Sequence, residues 1–444
     1  MRTYYNYLYP FSTITRWLSY DDSKDSPLMH RELSFEYESV GVERYVVFAD
    51  PAAMKDRMID SRLRTPVKVD AGAVWTRRPE KDSTAKTVER ELIFDFDMND
   101  YDDVRTCCTG KKVCVKCWQL LVVAVEILEQ ALAEDFDYHK LLFVFSGGRG
   151  LHIWVCDKKA RKLQDFVRKG VVDYLELVTG NDKAASLLGE NVIGKVEDSH
   201  LWKHKIDDTS RREVREFYLE NYVSEPVRRA LEILSKHFIK ILDEQAIFAV
   251  DEKGEFIHGR CLEIMLRVVA HRSKEMRERV ADRWRRGRGQ SARDMLALID
   301  IEVARYEKSL TLDDYNAERP PGERVQRLAF IEEEIMLSFL YPRMDYNVST
   351  MQNHLLKLPF SVHPSSRKIS IPLTRKEVTT FNPQNCITIN SLLDNLDYND
   401  LQCTPSLTQP KTSKTQSGPV SNGPSKPSNS LPNLSSRKSD SVPC

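Results

Sequence analysis

In Glu91-Leu92-Ile93-Phe94-Asp95-Phe96-Asp97-Met98 apolar and polar residues alternate from Phe94 to Met98, which predicts a strand. Leu92, Phe94, Phe96 and Met98 then form one buried face, while Asp95 and Asp97 project together from the other. Further strand-like runs occur at 32–37, 45–48 and 73–76. Two apolar strands at 141–145 and 151–156 flank Ser146-Gly147-Gly148-Arg149-Gly150, a composition suited to a tight turn. Helical spacing governs residues 4–20 after an initial turn, and an apolar helix spans 118–132. Long charged helical stretches then run from about 161 to 315, before strand signals return at 368–372 and 386–389. After Gln402, Ser, Pro, Thr and Asn dominate with almost no aromatics, which predicts disorder. The expectation is an α/β (α+β) fold with a mixed sheet. Its core domain falls in two parts, 1–165 and 326–400, around a mainly helical insertion at 166–325, with a disordered tail at 403–444.

Composition narrows the class only modestly. The 444 residues carry 66 basic and 66 acidic side chains, so any nucleic-acid contact must come from local basic patches. There is no apolar run of about 18 residues and no signal-peptide core, so a soluble protein inside the cell, with no membrane partner, is expected. Nine cysteines without regular pairing fit a reducing compartment.

Candidate chemistry sits in three places. Asp95 and Asp97 on one strand face repel each other unless a cation lies between them, and oxygen-only ligands suit Mg²⁺ or Mn²⁺. The plainer alternative is an edge strand carrying two solvated acids. Cys107, Cys108, Cys114 and Cys117 fall within the segment 107–117, a spacing that makes a closed structural zinc site. Redox chemistry is the rival for this cluster. The glycine turn lets backbone amides approach a phosphate, and Arg149 can grip two phosphate oxygens, although no Walker motif follows. On the strand beyond it, His152 and Trp154 share one face. The arginine-rich stretch 267–293 is read mainly as a solvated, salt-bridged helix face, with template or polypeptide binding as alternatives.

Asp95-Phe96-Asp97, the CC-x₅-C-x₂-C cluster and Ser146-Gly147-x-Arg149-Gly150-x-His152-x-Trp154-Val155, in this order, resemble the small catalytic subunit of eukaryotic DNA primase, in the archaeo-eukaryotic primase superfamily. The segments 9–12, 16–18, 30–35, 341–349 and 353–364 match as well, so the resemblance covers most of 1–165 and 330–395. It implies a primase catalytic fold and de novo synthesis of short RNA primers on single-stranded DNA from NTPs for replication. It further implies that Asp95, Asp97 and Asp345 bind two Mg²⁺ or Mn²⁺ ions, and that Ser146, Arg149, His152, Lys357 and His363 grip the triphosphate. Arg44 and Asp70 match nucleotide-contacting positions, Asp70 near the sugar hydroxyl. The implied partners are a large iron–sulfur subunit, the DNA polymerase α complex, template DNA and the RNA primer, and the implied location is the nucleus. One departure is Gly148, where the family usually has an arginine. That change should weaken the phosphate grip by about 1–2 kcal/mol. The alternatives are a primase-polymerase extending with dNTPs, a non-catalytic zinc-containing nucleic-acid-binding subunit, and an Asp-x-Asp glycosyltransferase.

Overall fold

The computed structural model describes residues 1–20, 27–38, 40–81, 84–175, 219, 223–309 and 330–394. Helices surround two sheets. The first sheet runs in the order β2 (Gly41–Val46), β1 (Arg31–Tyr37), β3 (Lys68–Trp75), β4 (Thr87–Glu89). The two-residue strand β8 (Leu356–Lys357) also pairs with β3. The second sheet runs β5 (Leu92–Asp97), β7 (Gly150–Val155), β6 (Leu141–Phe145), β9 (Ile371–Leu373). Every described ladder is antiparallel, so the mixture is of helix with sheet and not of strand direction. β8 and β9 follow the helical stretch in sequence, and each adds to a sheet built from the first 155 residues.

Alternation along β5 and β7 sorts the core into two layers. Phe94, Phe96, Leu151 and Ile153 pack with the helix Val115–Phe136. Ile93, Val144 and Trp154 turn the opposite way and meet Leu33, Phe35, Val69 and Ala71 of the first sheet. Burying each of these large side chains contributes about 1.5–3 kcal/mol, so the face-to-face packing of the sheets is firmly set. The helix Val115–Phe136 is apolar on most of its surface because sheet and helices cover it from several sides. It stops at Asp137, which adopts the left-handed conformation, while the Tyr138 amide donates back to the Leu132 carbonyl.

Several element boundaries differ from the sequence reading. Pro10 lacks an amide proton, and it splits the N-terminal stretch into helices Arg2–Tyr7 and Phe11–Ser19. β2 ends at Val46 and does not run on to Phe48. β3 begins at Lys68, five residues before the expected strand. The helix Pro51–Ile59 was not expected, although Asp50 caps it through the Ala53 amide and Pro51 opens it. Residues 386–389 form no strand. Thr388 makes one isolated bridge to Lys368, between the 3₁₀ turn Pro383–Asn385 and the helix Ile389–Asp394. The expected disordered tail lies outside the described residues.

Helices Glu225–Glu244, Gly259–Arg272, Lys274–Arg286 and Ala292–Ser309 occupy much of the expected insertion, and they share one apolar core with the second sheet. The arginine-rich helix Lys274–Arg286 is paired internally. Arg279 and Arg283 both engage the buried Glu302, Arg277 engages Glu263, and Trp284 is buried with its Nε1 donating to the Met295 carbonyl at 2.7 Å.

Candidate active site

The β5–β7 ladder sets Asp95 opposite His152 and Asp97 opposite Gly150. A side chain at 150 would collide with the Phe96 carbonyl, so glycine is needed where the turn returns against β5. Asp345 joins this pair from 248 residues further along the chain. Its amide donates to the Asp95 carbonyl at 2.9 Å, and its carboxylate caps the short helix Tyr346–Thr350 through the Asn347 and Val348 amides. Arg343 braces the approach to Asp345, donating to the carbonyls of Asp100 at 2.6 Å and Ser338 at 2.9 Å, and pairing with Asp103. Burial, with Asp345 and Asp97 as neighbours, pushes Asp95 up to about 7. Three carboxylates, one of them partly buried and repelled by the other two, form a hard-oxygen donor set that a divalent cation would relieve. Asp97 also receives Arg149 Nε at 2.6 Å, which ties the glycine turn to the acidic strand.

Facing the carboxylates is a basic wall from the first sheet and the turn. The β3–β8 pairing puts Lys357 opposite Asp70, and Lys357 Nζ donates to the Ser146 carbonyl at 2.8 Å. Burial, reinforced by Lys68, pulls Lys357 down to about 8, so it remains largely charged at neutral pH. Lys68, which the sequence reading missed, bridges Asp70 at 2.9 Å and Glu36 at 3.5 Å. Burial raises Asp70, with Lys68 opposing the rise. His152 is held at about 3 by burial and by the cations Lys357 and Lys68, so its 3.4 Å contact with Asp95 is not an ion pair. His363 is likewise neutral, held at about 4 chiefly by burial and by Lys357.

The remaining candidates divide. The Ser146 hydroxyl accepts the amides of Gly148 at 3.2 Å and Gly150 at 3.1 Å, closing the turn. Gly147 at φ +77 supplies the left-handed step this closure requires. At Gly148 a Cβ would lie 2.8 Å from His363 Nε2, so the histidine ring occupies the space beside this residue. Arg44 lies on β2 and is half-exposed. It donates to Glu32 at 2.8 Å and lies over the Tyr45 ring, and among the described residues it makes no bond to Asp95, Asp97 or Asp345.

The four cysteines are gathered at the start of the helix Val115–Phe136, and their sulfur atoms all lie within 4.8 Å of one another. Cys114 Sγ is 3.5 Å from Cys107 Sγ and 3.9 Å from Cys117 Sγ. Tetrahedral zinc with bonds of about 2.3 Å implies sulfur separations near 3.8 Å, so the group could hold zinc. The Cys107 thiol and the Cys114 amide donate to Cys117 and, with Arg105 nearby, lower it despite burial, while that same bond raises Cys107 and burial raises Cys108. A readily formed thiolate suits metal ligation.

A carboxylate trio facing lysines, an arginine and a glycine turn is the equipment of enzymes that transfer nucleotidyl groups. Comparison with known proteins gives this class a family. The sequence model of the DNA primase small subunit matches residues 94–375. The DNA primase small subunit of Schizosaccharomyces pombe is 30% identical over 405 residues, covering 90% of this chain and 78% of that protein. That of Drosophila melanogaster is 33% identical over 406 residues, covering 89% and 81% respectively. That of Saccharomyces cerevisiae is 29% identical over 379 residues, covering 84% and 80%. The chain belongs to the DNA primase small subunit family, and is a nucleotidyltransferase-type enzyme.

Proposed function

We propose that the chain makes short RNA primers de novo on single-stranded DNA, as the catalytic subunit of a replicative primase. The observation that carries this reading is the bond from the Asp345 amide to the Asp95 carbonyl, which unites three carboxylates opposite Lys357 and Arg149. Asp95, Asp97 and Asp345 would hold two Mg²⁺ or Mn²⁺ ions. Bound there, the ions would supply Lewis-acid activation of a 3′-hydroxyl and neutralise charge on the departing pyrophosphate. Arg149, Lys357 and His363, with Ser146 and His152, position the triphosphate in line with that hydroxyl. Asp70 faces the sugar and, held by Lys68, accepts a hydrogen bond from its hydroxyl. Cys107, Cys108, Cys114 and Cys117 would hold a zinc ion whose part is structural.

The names of the relatives support assembly with a primase large subunit on nucleic-acid substrates, and we extend this, as the family resemblance implies, to association with the DNA polymerase α complex in the nucleus. Among the described residues no helix is long and apolar enough to cross a membrane. The competing reading is extension with dNTPs. Poly-dT with labelled ATP or dATP, with and without the large subunit, separates the two. RNA products that outcompete DNA products, with selectivity lost in Asp70→Ala, support the primase reading, and preferred dATP incorporation contradicts it.

A further inference from the structure

Arg90 lies two residues before the acidic strand, is 1% exposed, and has no carboxylate at ion-pair distance among the described residues. Leaving a guanidinium buried this way is costly unless its donors are used. That cost is only partly met: Nη1 donates to two backbone carbonyls, Val348 at 2.9 Å and Met351 at 2.6 Å, while Nε and Nη2 have no partner among the described residues. Both carbonyls belong to the C-terminal end of the helix Tyr346–Thr350, where the backbone dipole favours a cation. The other end of that helix is Asp345, whose amide is bound by the Asp95 carbonyl. Two points on one segment of chain therefore clamp the two ends of one short helix. Arg90 is itself fixed, because its amide donates to the Arg161 carbonyl at 2.9 Å and its carbonyl accepts from Arg168.

We propose that Arg90 is a positioning residue that sets the placement of Asp345 relative to Asp95 and Asp97, and thereby the affinity of the carboxylate trio for divalent metal. A five-residue helix has little stability of its own, so its orientation depends on such tethers. Asp345 reaches the site from beyond the whole helical region; Arg343 braces the chain on its near side, and Arg90 holds the far end of its short helix. The inference rests on the metal-binding reading of the three aspartates.

The test is Mn²⁺ binding by the full-length, zinc-loaded chain, followed by electron paramagnetic resonance of free Mn²⁺. It compares wild type, Arg90→Met, Arg90→Lys and Asp345→Asn, with thermal melting to check folding. Arg90→Met is expected to weaken Mn²⁺ binding by about tenfold, a common cost of losing a group that orients a ligand. Arg90→Lys restores one donor and falls between Met and wild type. The Mg²⁺ concentration for half-maximal NTP incorporation rises in parallel, while the NTP KM at saturating Mg²⁺ stays unchanged. Wild-type Mn²⁺ affinity in a folded Arg90→Met chain overturns the inference. If that variant does not fold, Arg90→Lys decides, with wild-type affinity overturning the inference and weakened affinity supporting it. Wild-type binding that Asp345→Asn leaves intact instead overturns the metal reading, and the inference with it.

Discussion

Replacing Glu91 with glutamine removes one charge from a fully buried ion pair that joins the two sheets. Arg31 of β1 meets the carboxylate at 2.8 and 3.0 Å and also holds the Gly72 carbonyl of β3 at 3.0 Å. Tyr20 donates to the same carboxylate, and Arg168 holds the Glu91 carbonyl at 3.0 Å. Burial alone would push Glu91 up, but Arg31 and the Tyr20 hydrogen bond outweigh it and hold the carboxyl at about 2 instead of 4.5. Its folded pKa is depressed, so the stabilisation is full above 4.5 and is lost as pH falls through 2. At pH 7 it amounts to about 3 kcal/mol, in line with the cost of removing one partner from a buried pair. Urea unfolding of wild type and Glu91→Gln at pH 7 should therefore differ by about 3 kcal/mol, falling to under half of that by about pH 3. A difference below about 1 kcal/mol at pH 7, or one constant between pH 7 and pH 3, would refute this reasoning.

Removing zinc with a chelator, or changing Cys117 to Ser, should lower the melting temperature and loosen the start of the helix Val115–Phe136, as followed by circular dichroism. Gly148→Ala forces the His363 ring to move, which also disturbs its Nδ1 contact with the Ser366 amide. A rise of about fivefold in the NTP KM is expected, with a smaller effect in a His363→Ala background. Arg279→Ala with Arg283→Ala should leave the salt dependence of single-stranded DNA binding unchanged, because Glu302 already takes both guanidinium groups. Titration against salt by fluorescence anisotropy reads this directly.

Much of the site could be read from the chain because strand periodicity acts locally. Asp95 and Asp97 declare their shared face through the four apolar residues between and around them, and the cysteine spacing is complete within one short segment. The split helix at Pro10 and the capped start at Asp50 were also written locally, in residues whose backbone chemistry is well understood. Other features depend on partners distant in sequence. Lys68 resembles a solvated lysine until β3 and β8 bring Asp70 and Lys357 together. Arg90 shows no helical or strand signature at all, and gains meaning only from carbonyls 258 and 261 positions away. The missing side chain at Gly148 looked like a simple loss of charge, whereas the folded chain fills the space with His363.

The central claim is that Asp95, Asp97 and Asp345 together support primer synthesis. It is tested most directly on poly-dT with labelled ATP and Mn²⁺, in the presence of a primase large subunit. Wild type should yield short RNA products, while Asp95→Ala/Asp97→Ala and Asp345→Ala each lose about 10³-fold in rate, equivalent to about 4 kcal/mol of barrier stabilisation. Wild type without products, or aspartate variants as active as wild type, would contradict the claim.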